Sequence, residues 1–362
     1  MAQIIDQIVN ISIQDAISGV TTTDVNTMAL VGKAGSGKDS AVAGEFASSD
    51  DIGNAYGTDS ELYAMGVKFF AQDSQPSNGV CIPAPDFAGA LEAVKAASEK
   101  IAFYHICADA DSPTLEQLKA FQDELADAKK VLHLQIPATE GHATEKSVME
   151  GLSEYGANRI AVYLHDSGFS AGDGKKPASG EYLNVAIVAN RCAADSARGT
   201  FAHKKCKSVT ADSYGNSEYA ELVGAGLNIY LTVSGEARLF MGTTCDASHF
   251  IDQVVKDDWI RFNVQSRIFA LLGEANDGHG VNYDDAGIAS VAASVSNVLS
   301  TAADTDHQYI MDGFSVDFRN YDYLKENYAD DVRKRNLPLI SGEYSRMNSI
   351  HTAERVTITV TL

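Results

Sequence analysis

IAFYHICADADSPTLEQLKAFQDELADAKKVLHLQI, residues 101–136, divides into an apolar run, a helical pattern and a second apolar run. IAFYHIC and VLHLQI have the composition of strands, and between them Leu115, Leu118, Phe121 and Leu125 recur every three or four residues, the period of one helix face. Two strands joined in this way can lie parallel, because a parallel pair needs a long crossover rather than a tight turn. The same alternation continues outward. A helical pattern over Phe87–Ser98 precedes the stretch, one over Glu145–Tyr155 leads into RIAVYL (159–164), and another covers Tyr182–Ala193. From about Asp86 to Ala194 the chain predicts a mostly parallel sheet covered by helices. SGFSAGDGKKPASG, residues 167–180, reads as a polar, glycine-rich surface loop.

On either side the pattern is less regular. Upstream lie a short apolar strand over Met28–Val31, a helical pattern over Glu61–Gln72, a turn over Gln75–Gly79 and a strand over Val80–Ile82. Beyond Thr200 the chain reads as α+β: strands LNIYLTV (227–233) and EARLFMG (236–242), helical runs Ala247–Leu272 and Ala286–Ala303, then strands YIMDGFSVDF (309–318) and LPLISGEY (337–344). Two alternating strands stand near the ends. In VNISIQ (9–14), Val9, Ile11 and Ile13 alternate with polar residues; in RVTITVTL (355–362), Val356, Ile358, Val360 and Leu362 alternate with arginine and threonines. Neither has a hairpin partner nearby, since SRMNSIHTAE (345–354) is too long and polar for a tight turn.

With 362 residues, the chain can bury roughly 75% of its unfolded surface and needs no covalent staple. Its five cysteines are scattered, without a C-x-x-C pair, which disfavours a disulfide framework or thiolate zinc site and fits a reducing cytoplasm. No apolar run approaches the ~20 residues that span a bilayer, and MAQIIDQIVN lacks the basic start of a secretory signal. The expectation is a soluble protein without membrane insertion. A net charge of −21 repels phosphates and argues against direct nucleic-acid binding. Acidity serves solubility, or complements a partner with a basic face.

The candidate chemical sites are weak. VGKAGSGKDS (31–40) approaches a phosphate loop through Gly32, Gly37 and Lys38, and a nucleotide-binding α/β enzyme using Gly32 to Lys38 is the alternative reading. Asp39, however, stands where the loop needs a hydroxyl on magnesium, and places a carboxylate beside the phosphates. Asp109 or Asp111 could imitate a second nucleotide motif, and Asp109, Asp111 and Thr114 begin like a calcium loop until Pro113 takes its fifth position. The nine histidines are dispersed, and His279 in NDGHG reads as a loop residue. Asp257 and Asp258 are adjacent, point to different faces and read as solvated or capping; Asp284 or Asp285 caps the helix beginning near Ala286. No catalytic, cofactor or metal constellation emerges.

Taken together, VNISIQDA, MALVGKAG, the stretch SSDDIGNAYGTDSELYAMGVKFFAQDSQP, EYAELVGAGLNIYLTVSGEARLFMG, DASHFIDQVVKDDWIRFNVQSRIFALL and the ending LPLISGEYSRMNSIHTAERVTITVTL resemble the contractile tail sheath proteins of myovirus-type bacteriophages, most closely a shorter branch. The resemblance covers about Ile4–Gln75 and Thr200–Leu362. It implies a mechanical polymer, not an enzyme, with no cofactor: stacked hexameric rings around a tail tube, contracting to drive the tube through the host envelope during genome delivery. The implied setting is a phage tail in the virion, assembled in host cytoplasm, with the tube, baseplate and tail terminator proteins as partners. The implied architecture is an α+β core with an inserted α/β domain and extended terminal arms. Its parts are an arm over 1–20, core segments over 21–84 and 200–345, an outer domain over 85–199, and an arm over 346–362. Val9, Ile11, Ile13, Val356, Ile358, Val360 and Leu362 would carry strand exchange between subunits. Arg333, Lys334 and Arg335, grouped in an otherwise acidic chain, would face the tube or form a solvated basic turn.

Overall fold

The structure is a computed structural model that describes residues 24–38, 40–168, 180–274 and 280–352. Its centre is a six-stranded mixed sheet. In chain order the elements are β1 (Met28–Gly32), β2 (Gly44–Phe46), α1 (Ser49–Tyr56), α2 (Glu61–Phe70), β3 (Gly79–Pro83), α3 (Phe87–Ser98), β4 (His105–Asp109), α4 (Leu115–Ala128), β5 (Val131–Ile136), α5 (Ala143–Glu154), β6 (Ile160–Leu164) and α6 (Leu183–Ala193). The spatial order is β2-β3-β1-β4-β5-β6, parallel throughout except for β2 against β3. The expected alternation is therefore present, but it begins earlier than residue 85. Strands from 21–84 and from 85–199 share this one sheet.

Local chemistry explains the boundaries. Asp86 accepts the Gly89 N–H at the start of α3, and Thr114 and Gln117 bond reciprocally at the start of α4, each satisfying N–H groups that a helix leaves unpaired. β4 starts at His105 rather than Ile101. Phe103 and Tyr104 are buried all the same, and Tyr104 and His105 both donate to the Thr27 carbonyl, so apolar composition there reflects burial without strand pairing.

Each face of the sheet carries its own core. Met28, Leu30, Cys81, Cys107 and Tyr163 pack with residues of α2 and α6. Ala29, Val31, Ile82, Ile106, Leu134 and Val162 pack with Val94, Leu118, Leu125 and Leu152 of α3, α4 and α5. Beyond β6 the sheet is prolonged through Asn228, whose N–H donates to the Val162 carbonyl at 2.9 Å and whose carbonyl accepts from Leu164 at 3.0 Å. After α7 (Asn216–Gly224), the strands β7 (Ile229–Val233) and β8 (Glu236–Phe240) form a hairpin turned at Ser234 and Gly235, both at positive φ.

The C-terminal half adds α8 (Ile251–Glu274), α9 (Asp285–Ala303), β9 (Ser315–Asp317), α10 (Tyr321–Asn327), α11 (Ala329–Arg333) and β10 (Ser341–Glu343). α9 is apolar and, at 19 residues, long enough to cross a membrane by composition, a property the sequence reading did not anticipate. Its buried Ile288, Val291, Val298 and Leu299, and its packing against α8, are those of a core helix. β9 and β10 make an antiparallel ribbon, extended by a bridge between Ile310 and Arg346.

Candidate functional site

The glycine loop after β1 is closed by its own chain. Lys33 N–H donates to Glu61 Oε2 at 2.9 Å, Ser36 N–H to Asp59 Oδ2 at 3.0 Å, and Gly35 N–H to the Tyr56 carbonyl at 2.7 Å. A phosphate loop works by presenting free N–H groups to an anion; here two carboxylates and a carbonyl already hold them. Lys38 Nζ donates to the Asn54 carbonyl at 3.0 Å, and Asp39 lies outside the described residues. Gly35 must be glycine, because a Cβ there would collide with the Asp59 carboxylate. The sequence places a helical pattern from Glu61 onward, and Ser60 caps α2, but nothing in the sequence signals that the Asp59 and Glu61 carboxylates hold the glycine loop.

Beside this loop, between the carboxyl ends of β1 and β4, lies a crevice of about 480 Å3 lined by Lys33, Glu61, Asp86, Asp109, Asp111 and Gln117, among others. In doubly wound sheets this is the usual ligand position. Burial pushes the Glu61 carboxyl up to about 7, and burial followed by the Glu61 charge raises Asp109 well above the carboxylate range. Four carboxyl groups against one ammonium make a poor phosphate site. Asp109 and Asp111 belong to this wall, and no cluster of three metal-ligating side chains occurs among the described residues.

A second region gathers the roots of both terminal segments. Near the first described residues, Ser196 N–H donates to Asn26 Oδ1 at 2.7 Å and Ser196 Oγ to the Val25 carbonyl at 3.0 Å. Next to it, Tyr309 OH donates to Asp195 Oδ2 at 2.6 Å, and Met347 N–H donates to the Tyr309 carbonyl at 2.8 Å. Residues 344–352 then run along α8: Tyr344 and Arg346 donate to the Asp257 carboxylate, Lys256 Nζ donates to the Met347 carbonyl at 2.7 Å, and Gln253 bonds Asn348. Val9, Ile11, Ile13, Val356, Ile358, Val360 and Leu362 lie outside the described residues.

The ribbon β9–β10 stands close to these roots. It rests on α9, where Gly342 lies against Leu299, and all three residues of β10 are exposed. It has no third strand among the described residues, and a two-stranded ribbon is marginal alone and leaves edge groups unpaired. Arg333 ends α11 and Lys334 and Arg335 follow it, all three exposed. Arg333 pairs with Asp330, while Lys334 and Arg335 have no ion-pair partner among the described residues.

One reading requires correction. Asp257 and Asp258 do face different ways, but neither is merely solvated or capping. Asp258, 2% exposed, accepts two bonds from Arg159, at 2.6 and 2.8 Å, and one from Tyr104 OH at 2.6 Å. Burial opposes the Arg159 charge, yet Asp258 holds its pKa above the ordinary value. The network joins the entry to β6 with the entry to β4 and the middle of α8. Asp284 caps α9 as expected, accepting from Gly287.

The architecture is one found in chains of a contractile sheath particle. In particular, the chain is similar to a chain in the cryo-EM structure of the anti-feeding prophage helical sheath in the contracted state, with a TM-score of 0.61 and 14% identity over 97% of this chain and 98% of that one. It is similar also to a chain in the contracted baseplate of the same particle, with a TM-score of 0.60 and 13% identity over 98% and 97%. By sequence, neither a family model nor a curated protein matches.

Proposed function

We propose that this chain is the sheath subunit of a contractile phage-tail or tail-like particle, stacking as hexameric rings around a tube and contracting to drive it through an envelope. The observation that carries this reading is the shared fold along nearly the full length of both chains. In this reading the outer unit, 85–199, is hydrogen-bonded into the core through the common sheet. The terminal arms link neighbouring subunits. Residues 346–348 are bonded to their own α8 and His351 to Thr200 and His203, so in this reading the donated part of the C-terminal arm begins beyond His351. The exposed ribbon β9–β10 is the receiving edge: an added strand contributes main-chain hydrogen bonds for affinity and alternating side chains for register. Val9, Ile11 and Ile13, or Val356, Ile358, Val360 and Leu362, supply that alternation. The basic group Arg333, Lys334 and Arg335 faces an acidic tube, and baseplate and terminator proteins cap the stack. The occupied N–H groups of the glycine loop weigh against a nucleotide-binding enzyme. Electron microscopy of the purified protein tests the proposal: cylinders or ring stacks are expected, and a protein that stays monomeric at high concentration overturns it.

A further inference from the structure

At the root of the C-terminal segment, His351 is enclosed. Its Nε2 and Thr200 Oγ1 are hydrogen-bonded at 2.8 Å, His203 Nε2 lies 3.0 Å from its carbonyl oxygen, and its ring stands edge-on to Phe250 at 4.5 Å between centroids. Thr200 Oγ1 also accepts the Ala202 N–H at 2.9 Å, which fixes the hydroxyl. The neighbouring Ile350 is 87% exposed, and among the described residues no hydrogen bond holds residues 349, 350 or 352. His351 is therefore the last anchor before residue 353.

We infer that His351, seated between Thr200, His203 and Phe250, is a clasp that holds residues 347–352 to the body of the subunit, and that acid opens it. This rests on the arm-exchange reading for its purpose, but the clasp is a property of the single subunit. The charged and titratable groups around it are His203 beside Thr200, and Asp252 and Lys256 on α8; Arg238 on β8 binds the His203 carbonyl. Asp252 is already paired with Lys256 at 2.7 Å. Burial, ahead of His203 and Lys256, holds the His351 pKa below its ordinary value against the pull of Asp252. Because the seated imidazole resists a proton that a released one accepts, seating weakens as pH falls below about 6.5.

Hydrogen–deuterium exchange on the full chain at low concentration reads the clasp without requiring assembly. In wild type, exchange of the 344–352 peptide, in which the Met347 N–H is held by the Tyr309 carbonyl, corrected for intrinsic rate, should accelerate between pH 7 and pH 5, whereas the α8 peptides should not. His351→Ala should exchange roughly three- to tenfold faster at pH 7.5, the loss of one hydrogen bond. His351→Gln, which can still bond Thr200 and does not titrate in this range, should keep protection and lose the pH dependence. Thr200→Val should mimic His351→Ala, and serves if that variant misfolds. Unchanged exchange in Thr200→Val, or pH dependence retained in His351→Gln, overturns the clasp. Failure of the purified protein to polymerise would count against arm exchange alone.

Discussion

Glu61 occupies, with Asp59, the position that an anionic ligand would need at the glycine loop. Its carboxyl is 8% exposed and pushed by burial up to about 7, whereas the unfolded chain releases that proton near 4.3. Between these values the folded state holds a proton that the unfolded state has lost, so this group's contribution falls as pH rises through 7. Glu61→Gln keeps an acceptor for Lys33 and removes the titration. Relative to wild type it should gain stability on going from pH 5 to pH 8, by on the order of 3 kcal/mol, measured by urea unfolding at both pH values. The comparison must be between variants, because buried His105, pushed down to about 3, and His133, pushed well below its ordinary value, act oppositely below pH 6.5. A flat difference would show that Glu61 is not protonated in the folded state. Lys38→Ala removes only an exposed bond to Asn54 and should shift stability by less than about 0.5 kcal/mol. Calorimetry should show no saturable magnesium–ATP binding in either protein.

Among the elements, α8 is tied to the sheet by charge as well as by apolar contact. Arg159→Met leaves Asp258 buried without its partner and should cost about 3–5 kcal/mol. The double change Arg159→Met with Asp258→Leu removes both charges and should recover most of that loss; if the double variant is as unstable as the single one, packing rather than charge pairing joins the elements. α11 makes the opposite case. Its terminal Arg333, with Lys334 and Arg335, is exposed, so reversing all three charges should leave the thermal transition of the subunit nearly unchanged. Under the proposed function the same variant should fail to assemble on a tube, with the wild-type interaction weakening as salt rises. Normal co-sedimentation of the variant with tube across salt concentrations would remove the triplet from the interface.

For the whole molecule the governing fact is that the described chain is anchored to its own body as far as His351, with a ribbon nearby that has no third strand among the described residues. Deleting residues 354–362 should leave the circular dichroism spectrum and unfolding midpoint of the subunit close to wild type, because every bond along 344–351 remains. Sedimentation should then show that polymerisation is lost. Unfolding of the truncated subunit would place the terminal strand in its own core, and persistent cylinders would show that another contact links the subunits.

The sequence by itself determined the longer helices, α2 to α6, α8 and α9, and most strands, whereas the shorter α1, α7, α10 and α11 appeared only in the structure. Leu115–Ala128, Phe87–Ser98 and VLHLQI carry their period and caps within a few residues, and local hydrogen bonding decides such segments. The same held for the parallel sheet, since helix-length crossovers exclude tight hairpins. Only the tertiary structure decided that β1 and β3 join that sheet, because strand pairing is a long-range contact with no local signature. It also decided that Asp258 answers Arg159 across 99 positions, and that Glu61 and Asp59 fill a loop that reads as a phosphate cradle. A carboxylate's role depends on what burial brings opposite it, and nothing in its neighbours along the chain records that.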